Sequence, residues 1–124
     1  MSKLNIDPNT LSRPDRYKLM CALVIPRPIA LVTTISKNGI VNAAPFSFFN
    51  VFSDKPSIVA LGVNAKPEGG LKDTAANIKE QKEFVVHMVT FDIADQMNIS
   101  CVNFPPEVSE IDEANFTLRQ SHLI

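Results

Sequence analysis

Residues 29–46 (IALVTTISKNGIVNAAPF) constrain the fold more than any other stretch of the chain. The first seven, IALVTTI, are rich in β-branched side chains, which suit the pleated, half-buried surface of a strand. Ser36-Lys37-Asn38-Gly39 follows, and Asn-Gly supplies the positive φ angles of a tight hairpin turn. Residues 40–44 are therefore expected to return antiparallel beside residues 29–35. Nine prolines and four glycines punctuate the chain, which fits a loop-broken β-rich or α+β domain better than a helical bundle. A chain of 124 residues buries roughly two-thirds of its unfolded surface, enough for one core without disulfides or metals.

On either side of this hairpin the pattern is less regular. Residues 1–20 read as an N-terminal arm, because Pro8 and Pro14 break any long helix, and residues 21–124 read as the domain. The aromatic cluster Phe46-Ser47-Phe48-Phe49 leads to a polar break at Ser53-Asp54-Lys55-Pro56. Residues 58–63 (IVALGV) have strand length, and Gly62 within them suggests a bulge or a close backbone approach. At Leu71 the period changes: Leu71, Ala75 and Ile78 lie at i, i+4 and i+7 of a short amphipathic helix, with Asp73 or Thr74 placed to cap its first turn. Residues 84–89 (FVVHMV) read as a buried strand. A second helix runs from Ile93 to about Cys101 and stops before Pro105-Pro106. Residues 107–113 carry four acidic groups and read as a solvated tail, after which Phe116 and Leu118 start one more strand.

A net charge of −1, with twelve scattered Lys and Arg, leaves no basic stripe for nucleic acid, although a local anion pocket is compatible with it. No apolar run approaches the ~20 residues that cross a bilayer, and the N-terminus lacks the blocks of a signal peptide, so a cytoplasmic protein with no membrane partner is expected. Cys21, Cys101, His87 and His122 have no zinc-ligand spacing, so no metal site is expected and both thiols are expected to be buried. No nucleophile elbow, metalloprotease, dinucleotide or phosphate-loop motif is present. Side-chain acid-base chemistry would rest on His87, which inside an alternating strand reads as a hydrogen-bonded structural residue. If the chain is an enzyme, a cofactor does the chemistry.

Three segments suit an anionic, planar cofactor, and each also has an ordinary structural explanation. Thr33, Thr34 and Ser36 place hydroxyls at a strand end, where threonine is common in any case. Residues 42–50 gather Pro, Ser and three Phe around backbone able to meet a ring system, or simply pack a core. Lys72-Asp73-Thr74 opens a helix, where free amides and the helix dipole favour a phosphate, or where an ordinary cap sits.

Together, RPIALVTT (27–34), Asn38-Gly39, NAAPFSFFN (42–50), SDKP (53–56), KDTAANI (72–78) and FVVHMV (84–89) resemble, in order and spacing, the flavin reductase-like, FMN-binding split-barrel family. The resemblance implies a mainly β fold, a Greek-key antiparallel split barrel with flanking α-helices, and a homodimer with FMN near the subunit interface. It implies a flavin reductase-type oxidoreductase that transfers hydride from NADH or NADPH to flavin, without a catalytic residue of its own. Carried over by position, Thr33, Thr34 and Ser36 lie beside the flavin or its ribityl chain. Asn42 belongs to the same segment as Phe46, Ser47, Phe48, Phe49 and Asn50, which contact the isoalloxazine. Lys72, with Thr74, faces the phosphate, Asp73 between them belongs to the same cofactor-binding segment, and Arg27 is a second cation. His87 stands where relatives often carry Asn. Family members usually continue well past the position where this sequence stops, so the barrel is expected to be incomplete on its C-terminal side. Two other readings are a non-catalytic FMN-binding or electron-carrier module and a structural remnant that dimerises without flavin.

Overall fold

The computed structural model describes residues 5–122, so residues 1–4 of the expected arm and 123–124 of the expected domain lie outside the described residues. The expected hairpin forms β1 (Ala30–Ile35) and β2 (Val41–Phe46), paired antiparallel. Gly39 takes φ +82°, the Ser36 amide donates to the Ile40 carbonyl at 2.9 Å, and the Ile40 amide donates to Ser36 Oγ at 3.1 Å. β3 (Phe49–Asp54) and β4 (Ser57–Leu61) make a separate hairpin. β5 (Val85–Met88) pairs antiparallel with the other side of β1, giving the order β2-β1-β5. β1 is therefore central, and Ala30, Leu31 and Val32 are buried.

Register decides what each β2 residue can do. Ser36 and Ile40 form a hydrogen-bonded pair, so alternation makes Thr34/Asn42, Val32/Ala44 and Ala30/Phe46 hydrogen-bonded pairs as well. Val41, Ala43 and Pro45 then point their backbone groups outward, along an edge with no further strand among the described residues. Pro45 has no N–H to leave unpaired, which is why proline is tolerated there. The Ala43 amide donates to Glu110 Oε2 at 3.0 Å, and Ser109 Oγ donates to the Val41 carbonyl. The edge is thus covered by side chains instead of a strand.

The first residues differ from expectation. An eleven-residue helix, α1 (Arg13–Leu23), runs through Pro14, because proline in the first turn loses no helical hydrogen bond. Ser12 caps it by accepting from the Asp15 amide at 3.2 Å. The helix α2 (Asp73–Gln81) lies where the apolar period placed one, but it begins after Leu71, which is half exposed, and it buries Thr74 and Asn77. Neither Asp73 nor Thr74 caps it; Lys72 holds the cap position without a side-chain hydrogen bond. α2 packs on β1 and β2. The second expected helix is a 3-10 turn (Phe91–Ile93) followed by α3 (Ala94–Ile99), with Met97 buried.

Ser109 and Glu110, the residues that cover the β2 edge, belong to α4 (Glu110–Glu113) and its cap. The expectation of a solvated tail over residues 107–113 is corrected here: Ile111 is buried in a core with Leu31 and Ala43, against which Val41, Val89, Ile93 and Phe116 pack. Charge content concealed the apolar Ile111 and the edge-capping role of Glu110. No strand forms at Phe116 or Leu118.

Gly62 is a close approach and not a bulge. Its amide donates to the Phe48 carbonyl at 2.7 Å, and a Cβ there would lie 3.0 Å from Phe48 Cβ. The register irregularity falls instead between Val51 and Ser53. The β5 strand expected to be buried leaves His87 and Met88 exposed, while His87 Nε2 is hydrogen-bonded to Thr33 Oγ1 at 3.0 Å. Cys101 is exposed and Cys21 half-buried, contrary to the expectation of two buried thiols. Among the described residues no helix is long and apolar enough to cross a membrane, and no group of metal-ligating side chains occurs.

Candidate functional site

Alternation along β1 and β2 divides the sheet into two faces. Thr34, Asn42, Ala44 and Phe46 share the face on which α2 packs; Leu31, Thr33 and Ala43 share the other. Where the first face meets the start of α2 there is a cleft of about 570 Å³. It is lined by Asn42 and residues 44–46 of β2, by Lys72, Asp73 and Thr74 at the start of α2, and by Arg13, Tyr17, Lys66 and residues 100–104. A volume of this order accommodates a cofactor-sized ligand.

Two buried hydrogen bonds fix α2 to the sheet at this point. Asn42 Nδ2 donates to Thr74 Oγ1 at 3.0 Å, and Asn77 Nδ2 donates to Thr34 Oγ1 at 3.0 Å. They hold the first two turns of α2 against β1 and β2. The amides of the first turn have no helical acceptor, and no side chain caps them. Free amides, the positive end of the helix dipole and the Lys72 ammonium together suit a phosphate or carboxylate. Phe46, Pro45 and Phe104 supply apolar surface in the same cleft. The donor set therefore fits a ligand that has an anionic group at one end and a planar apolar body.

The lining is not uniformly cationic. Arg13, Lys66 and Lys72 are balanced against Glu68, Asp73 and Glu110. Lys66 Nζ lies 3.2 Å from Asp73 Oδ1 and pairs with it. Glu110 is 8% exposed, and burial raises its carboxyl above the ordinary glutamate value; the Ala43 amide acts in the opposite direction and the Asp73 charge adds to the rise. Partial burial likewise pushes the Cys101 thiol up, against a smaller opposing pull from Lys72.

Of the candidate residues, Asn42, Phe46, Lys72, Asp73 and Thr74 line this cleft. Ser36 lines a smaller space of about 60 Å³ next to it, together with Asn42, Asp73, Asn77 and Glu110. Thr34 is buried under α2. Thr33 faces the other side of the sheet, toward His87, where a second cavity of about 470 Å³ lies among Leu31, Val85, Ile111 and Phe116. Arg27 Nη1 donates to the Cys21 and Val24 carbonyls at the end of α1, and its Nε reaches Ser47 Oγ at 3.4 Å. Phe48 stacks at a tilt on Tyr17, ring centroids 5.6 Å apart. Phe49 and Asn50 begin β3, where Asn50 Oδ1 accepts from the Val51 amide.

Sequence reasoning passed over Arg13, Tyr17, Lys66 and Glu110. Arg13 reaches the cleft through a hydrogen bond from Nη2 to the Ala65 carbonyl at 3.0 Å, a contact with no local sequence signal. Glu110 carried one faint signal: Ser109-Glu110-Ile111 places a capping hydroxyl shortly before an apolar residue inside an acidic run.

An antiparallel sheet, a flanking helix with an uncapped first turn and a partly aromatic cleft between them make a domain whose shape suits an anionic, planar ligand. Residues 22–123 match the model of the flavin reductase like domain, and the chain belongs to that family. The structure is similar to that of nitrilotriacetate monooxygenase component B from Bacillus cereus, with a TM-score of 0.92 and 38% identity over all of this chain and 61% of that one. It is similar also to 2-nitrobenzoate 2-nitroreductase NbaA from Pseudomonas fluorescens, with a TM-score of 0.82 and 36% identity over 98% of this chain and 57% of that one. A split-barrel protein from Shewanella frigidimarina, 18% identical with a TM-score of 0.68 over 85% of this chain and 50% of that one, shares the fold. The fold is thus the mainly β split barrel with helices. The chain spans about half the length of the curated relatives it matches, 58% in the case of a protein from Halalkalibacterium halodurans to which it is 46% identical.

Proposed function

We propose that this chain is the FMN-holding part of a flavin reductase-type oxidoreductase that takes hydride from NADH or NADPH. The observation that carries the reading is the uncapped first turn of α2, which opens beside Lys72 into an aromatic-lined cleft of about 570 Å³ in a member of the flavin reductase like family. Lys72 and the α2 amides would hold the FMN phosphate, with Thr74 and Asn42 fixing the geometry of that turn. Phe46 and Pro45 would border the ring system. Bound FMN would supply the hydride acceptor, and the chain's own residues bind it, orient it and limit water around it. No protein acid or base is needed for this role, which accords with the structural engagement of His87.

A homodimer belongs to the same proposal. Phe52 is 70% exposed, and Val51, Ile58 and Val59 of the same β3–β4 hairpin are exposed with it, an apolar surface suited to a second copy. Arg27, Ser47, Phe48, Phe49 and Asn50 would act at or near that surface. An absorbance titration with FMN tests the reading: perturbed flavin bands with saturation are expected, followed by anaerobic oxidation of NADH or NADPH. Absence of any spectral change overturns the flavin assignment, and binding without nicotinamide oxidation leaves a carrier module instead of a reductase.

A further inference from the structure

We propose that Glu110 couples occupancy of the cleft to a proton: an anionic ligand binds at the α2 end when the Glu110 carboxyl is neutral, and its binding draws a proton onto that carboxyl. The inference rests on the reading of the cleft as an anion and flavin site and adds to it a pH-dependent specificity residue.

Its basis is geometric. Glu110 is 8% exposed, its Oε2 is held by the Ala43 amide at 3.0 Å, and the residue lines both the main cleft and the smaller space beside it. Asn42, which lines the same two spaces, is the residue that fixes Thr74 and with it the first turn of α2. Glu110 and the anion-binding turn thus converge on adjacent residues of one strand, Ala43 and Asn42.

Charge balance gives the direction. Facing the cleft are Lys72 and Asp73 from the start of α2, Lys66 and Glu68 from the preceding loop, Arg13 and Tyr17 from α1, and Cys101 after α3; β2 contributes no ionisable group. Arg13, Lys66 and Lys72 oppose Glu68 and Asp73, so the cleft carries one net positive charge while Glu110 is neutral and none once it ionises. Asp112 and Glu113, on α4 itself, are exposed and outside the cleft. Burial already favours the protonated form of Glu110, and an anion beside it favours that form further. By linkage, anion affinity then falls with rising pH, at most about tenfold per unit, between the Glu110 midpoint of the free protein and that of the complex.

The test is FMN and riboflavin binding by wild type and Glu110→Gln at closely spaced pH values from the ordinary glutamate range upward to about pH 8. Glutamine keeps an acceptor for the Ala43 amide and cannot ionise. The expected result is an FMN affinity that falls more steeply with pH in wild type than in E110Q, with riboflavin showing no such difference. Ionisation of the FMN phosphate is common to both proteins and cancels in the comparison. Equal pH slopes for FMN in the two proteins overturn the proposal while leaving flavin binding in place. A second measurement needs no variant: in wild type with ¹³C-labelled Glu carboxyls, FMN should raise the Glu110 titration midpoint, and an unmoved midpoint overturns the coupling. If neither protein binds FMN at any pH, the flavin reading falls, and the same titration with inorganic pyrophosphate decides the coupling alone, a raised midpoint supporting it and an unchanged one removing it.

Discussion

Asn42 on β2 donates its side-chain amide to Thr74 Oγ1 on α2 across 3.0 Å, with both residues buried, and this bond sets the orientation of the helix end that faces the cleft. Thr74→Val removes the acceptor and leaves the Asn42 amide without a partner in a buried position. We expect a loss of about 1–3 kcal/mol in urea denaturation. FMN affinity should fall with it, because the α2 amides lose their fixed aim.

Gly62 and Phe48 meet at a comparable constraint. A Cβ at position 62 would stand only 3.0 Å from Phe48 Cβ, so Gly62→Ala forces the junction before β3 away from the end of β4. The cost should be about 1–3 kcal/mol, the scale of overpacking, read as a lower denaturation midpoint. A substitution without effect would mean that the hairpin shifts freely relative to Phe48.

Arg27 offers a test that separates two roles. Its guanidinium donates to the Cys21 and Val24 carbonyls, and so closes the end of α1 as a cation suited to a helix C-terminus. Arg27→Ala should lower stability by roughly 1–2 kcal/mol and reduce helicity by circular dichroism. If instead stability holds and only FMN affinity drops, Arg27 serves the ligand and not the helix.

How much of this was legible follows from the range of each interaction. The β1–β2 hairpin is encoded locally, by β-branched residues and Asn38-Gly39, and its position matches the structure closely. The helix at α2 was legible from its period, but its cap was not, because Asp73 turns to Lys66 and Thr74 to Asn42, partners set by tertiary packing. Thr33 and Thr34 are indistinguishable as sequence; only the register with β2 places one beneath α2 and the other beside His87. The acidic run at residues 107–113 concealed α4 for a similar reason, since the need for Ser109 and Glu110 exists only once β2 presents an unpaired edge.

That edge gives Glu110 a stability signature of its own. Its carboxyl has a higher pKa in the folded chain than the ordinary value, so its protonated form favours folding. This contribution is complete below the ordinary glutamate range and is lost as pH rises through the raised folded value. Thermal melts of wild type and Glu110→Gln should therefore diverge across that window, E110Q gaining relative to wild type as pH rises. A constant difference between the two at every pH would show that Glu110 does not titrate differently in the folded chain.

Lys72 provides the sharpest discrimination within the cleft, because it stands at the cap position of α2 with its side chain free of any capping hydrogen bond. A phosphate at that position would meet the Lys72 ammonium in addition to the aligned amides of the helix start, and only the first contact is lost on substitution. FMN and riboflavin differ by that phosphate alone. Lys72→Ala should weaken FMN on the order of tenfold, the equivalent of losing one charge-assisted hydrogen bond, and leave riboflavin nearly unchanged. Isothermal titration of both ligands against both proteins measures the difference directly. An equal loss for the two flavins would detach Lys72 from the phosphate and shift that role to Arg13 or Lys66, the other cations of the same cleft.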